Sequence, residues 1–257
     1  MSMTTLPRDL PSGLTKEQPG NNLASLSMTP PMKVIVDTVL RQWRSPQAFQ
    51  PLARYEIFPV RQLLFYGPPG NGKTCACQWI AQKLDVPLYR VRCETLIEAF
   101  MGRTAANVGA ILDWLQDSPP AVLLFDEVES LFPARGGASS CARETDSAMA
   151  VYWQRLDRWR GRHLFVMATN RPGDLDAALK SRIELHLEFG PPTDQQAREV
   201  IAYWSEVLHE YGAESWRQIL EDRLDEGVGF ASFRDLWHTI QGFVVQHVND
   251  GLGSTDD

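Results

Sequence analysis

The chain has 257 residues, 44% of them hydrophobic and 22% charged, with a formal net charge of −7. This length is sufficient for one large domain or two modest ones with a full apolar core. The acidic balance argues against a surface coated for nucleic acid, no apolar run is long enough to span a membrane, and the N-terminus lacks the apolar core of a signal peptide.

The four cysteines do not form the pattern of a disulfide framework, which favours a reducing, cytoplasmic environment. Cys75 and Cys77 lie two positions apart on a predicted helix, so they point to opposite sides and are poorly placed to bind one metal ion. The five histidines show no paired spacing of metal ligands. The sequence therefore predicts free thiols.

The N-terminal part of the chain divides into two segments. Residues 1–30 are rich in Pro, Ser, Thr, Gly and Asn, which predicts a disordered tail. Residues 31–56 contain an amphipathic helix over 31–43 followed by a proline-containing linker. This helix either packs on the main domain or docks a partner, and the pattern allows both.

A glycine-rich turn at residues 67–74, with the sequence GPPGNGKT, follows the apolar run 63–66 and precedes a helical pattern. Strand, turn and helix in this order are the context of a phosphate-binding P-loop, where backbone N–H groups and a helix N-terminus converge on anionic oxygens. Lys73 would reach the outer phosphates and the Thr74 hydroxyl would ligate Mg²⁺. The predicted nucleotide-binding residues are Gly67, Pro68, Pro69, Gly70, Asn71, Gly72, Lys73, Thr74 and Cys75.

Strand and helix patterns then alternate as far as residue 190. Strands are predicted over 88–93, which alternates, over the buried apolar runs 121–125 and 163–170, and over the short segment 185–189. Such alternation implies a parallel sheet covered on both faces, with ligands outside the carboxyl ends of its strands. The predicted fold is α/β, an αβα P-loop core over 57–190 followed by a small α-helical lid over 191–250 and a frayed tail over 251–257.

Polar residues end two of these strands. Asp126 follows the buried run 121–125, where a carboxylate is costly unless a cation meets it, so we predict that it binds Mg²⁺ together with Thr74. Glu127 is placed to orient and deprotonate an attacking water, and the Asn170 amide could bridge that water and the γ-phosphate. An acidic helix cap and a plain turn asparagine are the alternatives.

These motifs, in this order, resemble the AAA+ ATPases and more narrowly the AAA subfamily. Residues 67–74 are similar to its Walker A motif, VLLFDE at 122–127 to Walker B, ATN at 168–170 to sensor 1, and LDAAL at 175–179 to the "LDPAL" stretch. The resemblance covers residues 57–248. It implies an αβα core with a helical lid, ATP and Mg²⁺ as cofactors, active sites at subunit boundaries and a homo-oligomer, usually a hexamer.

The resemblance implies further roles. Arg182 falls where the family has its arginine finger, which acts in trans on the neighbouring subunit, although the usual second arginine is absent or replaced by Lys180. Phe100 and Met101 align with the first pore loop, or alternatively belong to the core of a helix. Arg234 lies near the position of sensor 2, and a role there and a solvated helix position both remain open.

Three functions are compatible with these residues. The first is a ring-shaped ATPase that remodels or threads a protein substrate supplied by a partner or adaptor. The second is a nucleic-acid-associated accessory ATPase, which would use Arg90, Arg92 and Arg103 near the pore segment. The third is a scaffold that binds ATP without turnover, and the joint presence of Glu127, Asn170 and Arg182 argues against it. The first is favoured, and nothing indicates a membrane partner.

Overall fold

The computed structural model describes residues 9–18, 28–98, 103–134, 140–159 and 161–253. The predicted α/β fold class is confirmed: helices cover a mostly parallel sheet and a group of helices follows at the C-terminus. The predicted pore residues Phe100 and Met101 lie outside the described residues.

The described residues form a six-stranded sheet with the order β1-β3-β4-β5-β2-β6. All neighbouring strands are parallel except β1, which runs antiparallel to β3. The strands are β1 (Leu14–Lys16), β2 (Gln62–Tyr66), β3 (Leu88–Arg92), β4 (Ala121–Asp126), β5 (His163–Thr169) and β6 (Leu185–Glu188).

Helices connect these strands and continue beyond them. The α-helices are α1 (Pro30–Arg44), α2 (Lys73–Leu84), α3 (Cys93–Glu98), α4 (Thr104–Gln116), α5 (Val128–Leu131), α6 (Ser140–Asp157), α7 (Ala177–Arg182), α8 (Asp194–Val207), α9 (Ala213–Asp225) and α10 (Phe233–Gly253). Short 3₁₀ segments occupy Pro46–Tyr55, Pro172–Asp174 and His209–Tyr211.

The central strands are apolar on both faces because helices cover both faces. Alternate residues of β4 illustrate this: Leu123 and Phe125 pack into one cluster with α4 and α6, whereas Val122 and Leu124 pack into another with α1 and α2. A strand buried on both faces can have its carboxyl end open to solvent, and the polar residues Asp126 and Asn170 follow at such ends.

The C-terminal helices α8, α9 and α10 have an apolar cluster of their own, built around Ile201, Trp216, Leu220, Leu236 and Ile240. A capping box begins α8, in which the Thr193 hydroxyl accepts the Gln196 N–H and the Gln196 side chain accepts the Thr193 N–H. The helix α10 runs to Gly253, into the segment 251–257 that the sequence predicts as a tail.

Within the segment predicted to be a disordered tail, residues 1–30, the described residues Leu14–Lys16 form the strand β1. Leu14–Lys16 pairs antiparallel with β3, and Leu14 is buried in the cluster on the α4 side of the sheet. The Gly13 φ of +82° is a conformation open to glycine. Sequence composition could not reveal this strand, because its stability comes from hydrogen bonds to the free edge of β3.

The structure also bears on membrane-spanning helices and on the cysteines. No helix among the described residues is long and apolar enough to cross a membrane. Cys75, Cys77 and Cys93 are free thiols, and Cys75 is exposed whereas Cys77 is buried, as their spacing on α2 predicts.

Candidate functional site

The glycine-rich turn between β2 and α2 adopts the backbone that only its glycines permit. Gly67, Gly70 and Gly72 have φ values of +135°, +83° and +87°, which L side chains rarely adopt. A Cβ on Gly67 would lie 2.2 Å from the carbonyl oxygen of Phe189. The turn leads directly into α2 at Lys73, and a helix N-terminus with unpaired N–H groups favours an anion.

Lys73 is folded back onto this turn and is only 8% exposed. Its Nζ donates to the carbonyl oxygens of Gly67 at 2.6 Å and Pro68 at 2.9 Å. Burial lowers the pKa of Lys73, while the negative charges of Asp126 and Glu129 act to raise it. The lysine therefore stands between the turn and the acidic end of β4.

Asp126 and Glu127 lie at the carboxyl end of β4. Glu127 has a left-handed backbone conformation, with φ 53° and ψ 47°, and its N–H donates to Asp126 Oδ1 at 3.1 Å. A hydrogen bond with Glu94 raises the pKa of the Glu127 carboxyl, and partial burial and the charges of Glu94 and Asp126 act in the same direction. Arg171 opposes them.

A guanidinium contacts the acidic end of β4. Arg90, on the neighbouring strand β3, donates from Nη2 to Asp126 Oδ2, and its Nη1 lies 3.6 Å from Glu17 Oε1. This finding corrects the suggestion that Arg90 is available for nucleic acid, because its charge is engaged by two carboxylates.

These groups open into a cavity of about 950 Å³ at the carboxyl edge of the sheet. Asn170 lines it, as do residues of the turn and the helix α10. An aromatic pair lines it as well: the rings of Trp204 and Trp237 have centroids 4.3 Å apart and are tilted by 39°. Further lining residues are Thr29, Met32, Ile35, Val200 and Phe233. One cavity thus combines a polar end with an apolar, aromatic end.

The helix α10 begins against the glycine-rich turn. The Arg234 N–H donates to the Gly70 carbonyl at 3.0 Å, and the Phe233 N–H donates to Asn71 Oδ1 at 3.3 Å. Arg234 also lines the cavity, and its positive charge lowers the pKa of Lys73. The sequence-predicted residue Arg234 is therefore brought to the turn by backbone hydrogen bonds.

Arg182 lies elsewhere. It is exposed at the end of α7, and its guanidinium stacks over the Trp153 ring at 4.9 Å from the centroid. Arg182 does not line the cavity. Within one chain the structure therefore brings together Lys73, Asp126, Glu127 and Asn170 but leaves Arg182 apart from them.

The residues at the polar end are chemically suited to Mg²⁺. The Thr74 hydroxyl and the Asp126 carboxylate are oxygen donors of the kind that Mg²⁺ prefers, with phosphates and water completing its shell. The Arg90 guanidinium pairs with Asp126, so this carboxylate already has a cationic partner in the structure. The donor set therefore fits the ion.

Sequence reasoning missed several groups of this site. Glu94 lies on α3, where no sequence pattern links it to Glu127, and the contact between Trp204 and Trp237 requires α8 and α10 to meet. For Arg90 the sequence suggests only nucleic acid as a partner. One signal was available for it: a charged residue in the middle of an otherwise alternating strand requires a counter-charge when that strand is covered.

Comparison with known proteins adds independent findings. Residues 63–191 match the model of a family described as "ATPase family associated with various cellular activities (AAA)". The chain is similar to the probable 26S proteasome regulatory subunit 10B of Caenorhabditis elegans, with 26% identity over 91% of this chain and 59% of the relative. It is also similar to the 26S proteasome regulatory subunit S10B homolog B of Arabidopsis thaliana, with 25% identity over 96% of this chain and 63% of the relative.

A shorter match has higher identity. The peroxisomal ATPase pex6 of Schizosaccharomyces pombe is 33% identical over 55% of this chain, which is 16% of that relative. This chain spans about six-tenths of the length of the two proteasome subunits that it matches.

Proposed function

Because the chain belongs to the ATPase family associated with various cellular activities (AAA), we propose that it binds and hydrolyses ATP and uses the energy to remodel or thread a protein. One observation carries the proposal: Lys73, Asp126, Glu127 and Asn170 come from separate segments and meet in one cavity beside the glycine-rich turn. Phosphoryl transfer requires positioning and charge stabilisation of this kind.

The polar end of the cavity would hold the phosphates. The backbone of residues 67–74 would cradle them, and Lys73 would exchange its carbonyl partners for phosphate oxygens. Thr74 and Asp126 would hold Mg²⁺, which neutralises charge on the phosphates when bound. The aromatic pair Trp204 and Trp237 at the other end would hold the base.

The hydrolytic step would use groups at the strand ends. Glu127 would orient and deprotonate the attacking water, and Asn170 would hold that water against the γ-phosphate. Arg234 would contact the phosphates from the start of α10. Arg182 is exposed and lies away from its own cavity, which suits a residue that completes the cavity of a neighbouring subunit.

The action of the protein on a substrate is inferred from its relatives. Two of them are named as regulatory subunits of the 26S proteasome and another as a peroxisomal ATPase, and this chain covers only part of each. We propose a homo-oligomeric ring, most simply a hexamer, that acts on a protein substrate delivered by a partner. The predicted domain bounds, the role of Phe100 and Met101 in the pore and the cytoplasmic location stay predictions.

Replacement of the proposed base tests the hydrolytic assignment. Glu127→Gln should bind ATP as the wild type does but hydrolyse it about 10²–10⁴-fold more slowly, because general-base catalysis has this size. Binding of a fluorescent ATP analogue and release of phosphate would be measured separately. Glu226→Gln, which changes an exposed carboxylate outside the cavity, is the matched control and should retain both activities. Unaltered turnover in Glu127→Gln would refute the assignment.

The class of substrate is tested by stimulation of the ATPase rate. An unfolded polypeptide should stimulate the wild type, and Phe100→Ala should reduce that stimulation while leaving the basal rate in place. Stimulation by DNA and not by polypeptide would instead establish the nucleic-acid-associated function.

A further inference from the structure

Arg90 is a cation held between two carboxylates, one from the N-terminal part of the sequence and one from its middle. Its Nη2 donates to Asp126 Oδ2, and its Nη1 lies 3.6 Å from Glu17 Oε1. The side chains of Arg90 and Glu17 are 27% and 23% exposed, so the second pair is largely removed from solvent. Arg90 remains charged under all conditions of interest, so it is always available as a cationic partner for these carboxylates.

The short strand β1 places Glu17 beside Arg90. Thr15 stands opposite Arg90 in the antiparallel register, and the Glu17 N–H donates to the Leu88 carbonyl at 2.9 Å. Residues two apart on a strand share a face, so Glu17 lies on the same face of the sheet as Arg90. The Thr15 hydroxyl also donates to the Arg90 carbonyl at 3.2 Å.

Both oxygens of the Asp126 carboxylate already accept hydrogen bonds from the protein. Oδ1 accepts the Glu127 N–H, which the start of α5 fixes, and Oδ2 accepts the Arg90 guanidinium. Each oxygen keeps a second lone pair, but a divalent cation on Asp126 lies close to the positively charged Arg90 guanidinium and repels it, whereas the neutral Glu127 N–H is little affected. The side chain of Arg90 is the donor that can move, because the backbone N–H belongs to a folded turn.

We infer that Arg90 competes with the divalent cation for Asp126 and that Glu17 receives Arg90 when the cation prevails, so that loading of Mg²⁺–nucleotide strengthens the docking of β1. The inference rests on the proposed function, in which Asp126 holds Mg²⁺. Linkage makes the effect reciprocal: the docked strand draws Arg90 away from Asp126 and thereby favours the cation. The N-terminal segment thus senses the occupancy of the nucleotide site.

The first test measures the Mg²⁺ dependence of binding of a fluorescent ADP. Arg90→Met removes the competing charge and should raise the apparent affinity for Mg²⁺ at least about fivefold, the lower end of typical coupling between sites. Glu17→Gln should lower this affinity, because Arg90 loses its alternative partner. Arg92→Met is the matched control, because Arg92 is exposed on the same strand and its substitution removes the same charge.

The second test follows the strand itself. Amide hydrogen exchange at residues 14–17 should slow in the wild type when Mg²⁺ and ADP are added together, compared with ADP and a chelator. In Arg90→Met the slowing should disappear. Binding of ADP in the presence of the chelator serves as the check that each variant is folded.

Several results would overturn the inference. These are an Mg²⁺ affinity in Arg90→Met within twofold of the wild type, an equal gain in Arg92→Met, or the same slowing of exchange with and without Arg90. Asp126→Asn distinguishes failure of the metal assignment from failure of the role of Arg90. If Asp126→Asn leaves the Mg²⁺ dependence intact, the metal assignment of the proposed function fails as well; if it abolishes that dependence while Arg90→Met has no effect, only the role of Arg90 fails.

Discussion

Glu127 adopts an energetically unfavourable backbone conformation and lies in an unfavourable charge environment. Its left-handed backbone is unusual for a residue with a side chain, and states of this kind cost about 1–3 kcal/mol. Its carboxyl is also brought against Glu94, which raises its pKa. The residue proposed to be the base is therefore held by its surroundings in a conformation and a charge environment that it would not adopt alone.

His163 should make the stability of the protein depend on pH. It is 2% exposed at the start of β5, its Nε2 contacts the Pro119 carbonyl at 3.1 Å, and burial lowers its pKa from 6.5 to about 4. The unfolded chain therefore takes up the proton at higher pH than the folded one. The stabilisation is complete above pH 6.5 and decreases as the pH falls, by about 3 kcal/mol at pH 4.

Urea unfolding between pH 7.5 and 4.5 checks this expectation. His163→Gln should show a shallower loss of stability with falling pH than the wild type. His238→Gln, which replaces an exposed histidine, should keep the wild-type slope. Parallel curves for all three proteins would contradict a buried neutral imidazole at position 163.

Gly67 should tolerate no side chain. Its φ of +135° is rarely available to L residues, and an added Cβ would lie 2.2 Å from the Phe189 carbonyl oxygen, a backbone atom that cannot turn aside. Gly67→Ala should lose about 1–3 kcal/mol or more of unfolding free energy and should bind ATP weakly. Gly173→Ala, where an added Cβ meets no atom within 4 Å, is the control for denaturation and nucleotide titration. Equal behaviour of the two variants would show that the turn can adapt.

At the scale of elements, the start of α10 and the glycine-rich turn act as one unit. Asn71 is buried, its Oδ1 accepts the Phe233 N–H, and its Nδ2 donates to the Pro68 carbonyl at 3.4 Å. The side chain therefore joins the turn to the first residue of the helix. In the proposed function, movement of α10 would therefore shift the turn that binds the phosphates.

Asn71→Ala should loosen this junction. It leaves the part-buried Phe233 N–H without its acceptor, which should cost less than the roughly 1–3 kcal/mol of a fully buried group. We expect a lower unfolding free energy and weaker ADP binding, measured by denaturation and by titration. Gln218→Ala is the control, because it removes an exposed side-chain amide of α9 that bonds only within that helix, to Asp222. If ADP binding by Asn71→Ala is unchanged, the contact between α10 and the turn does not affect nucleotide binding.

Strand β1 shows why elements differ in how well the sequence predicts them. The strands β2, β4 and β5 are apolar runs buried on both faces of the sheet, so their composition identifies them. Strand β1 has three residues and one buried side chain, Leu14. It exists because β3 offers a free edge, and that edge is a property of the assembled sheet.

For the whole molecule, the decisive prediction is that active sites are shared between subunits. Arg182→Ala should reduce hydrolysis about 10³–10⁵-fold if it supplies the charge of an arginine finger. Mixing Arg182→Ala with Glu127→Gln should restore part of the activity, because some interfaces then combine an intact Glu127 cavity with an intact Arg182. The phosphate release rate would be measured over a range of mixing ratios.

Two controls make that experiment specific. Each variant alone at the same total concentration should stay inactive, and Arg182→Lys should recover less than the wild type because a lysine lacks the planar fork of the guanidinium. A linear sum of the two separate rates at every ratio would show that each chain hydrolyses ATP by itself.

The sequence alone determined the fold class, and it predicted the residues proposed for the site. Apolar strands followed by polar residues, and a glycine-rich turn before a helix, are local patterns, and the fold sets them side by side at the carboxyl edge of the sheet. The tertiary structure alone decided which groups from distant segments meet: Arg90 with Glu17 and Asp126, Glu94 with Glu127, and Trp204 with Trp237. These contacts depend on strand register and helix packing, which arise only when separate segments bury their apolar faces against one another.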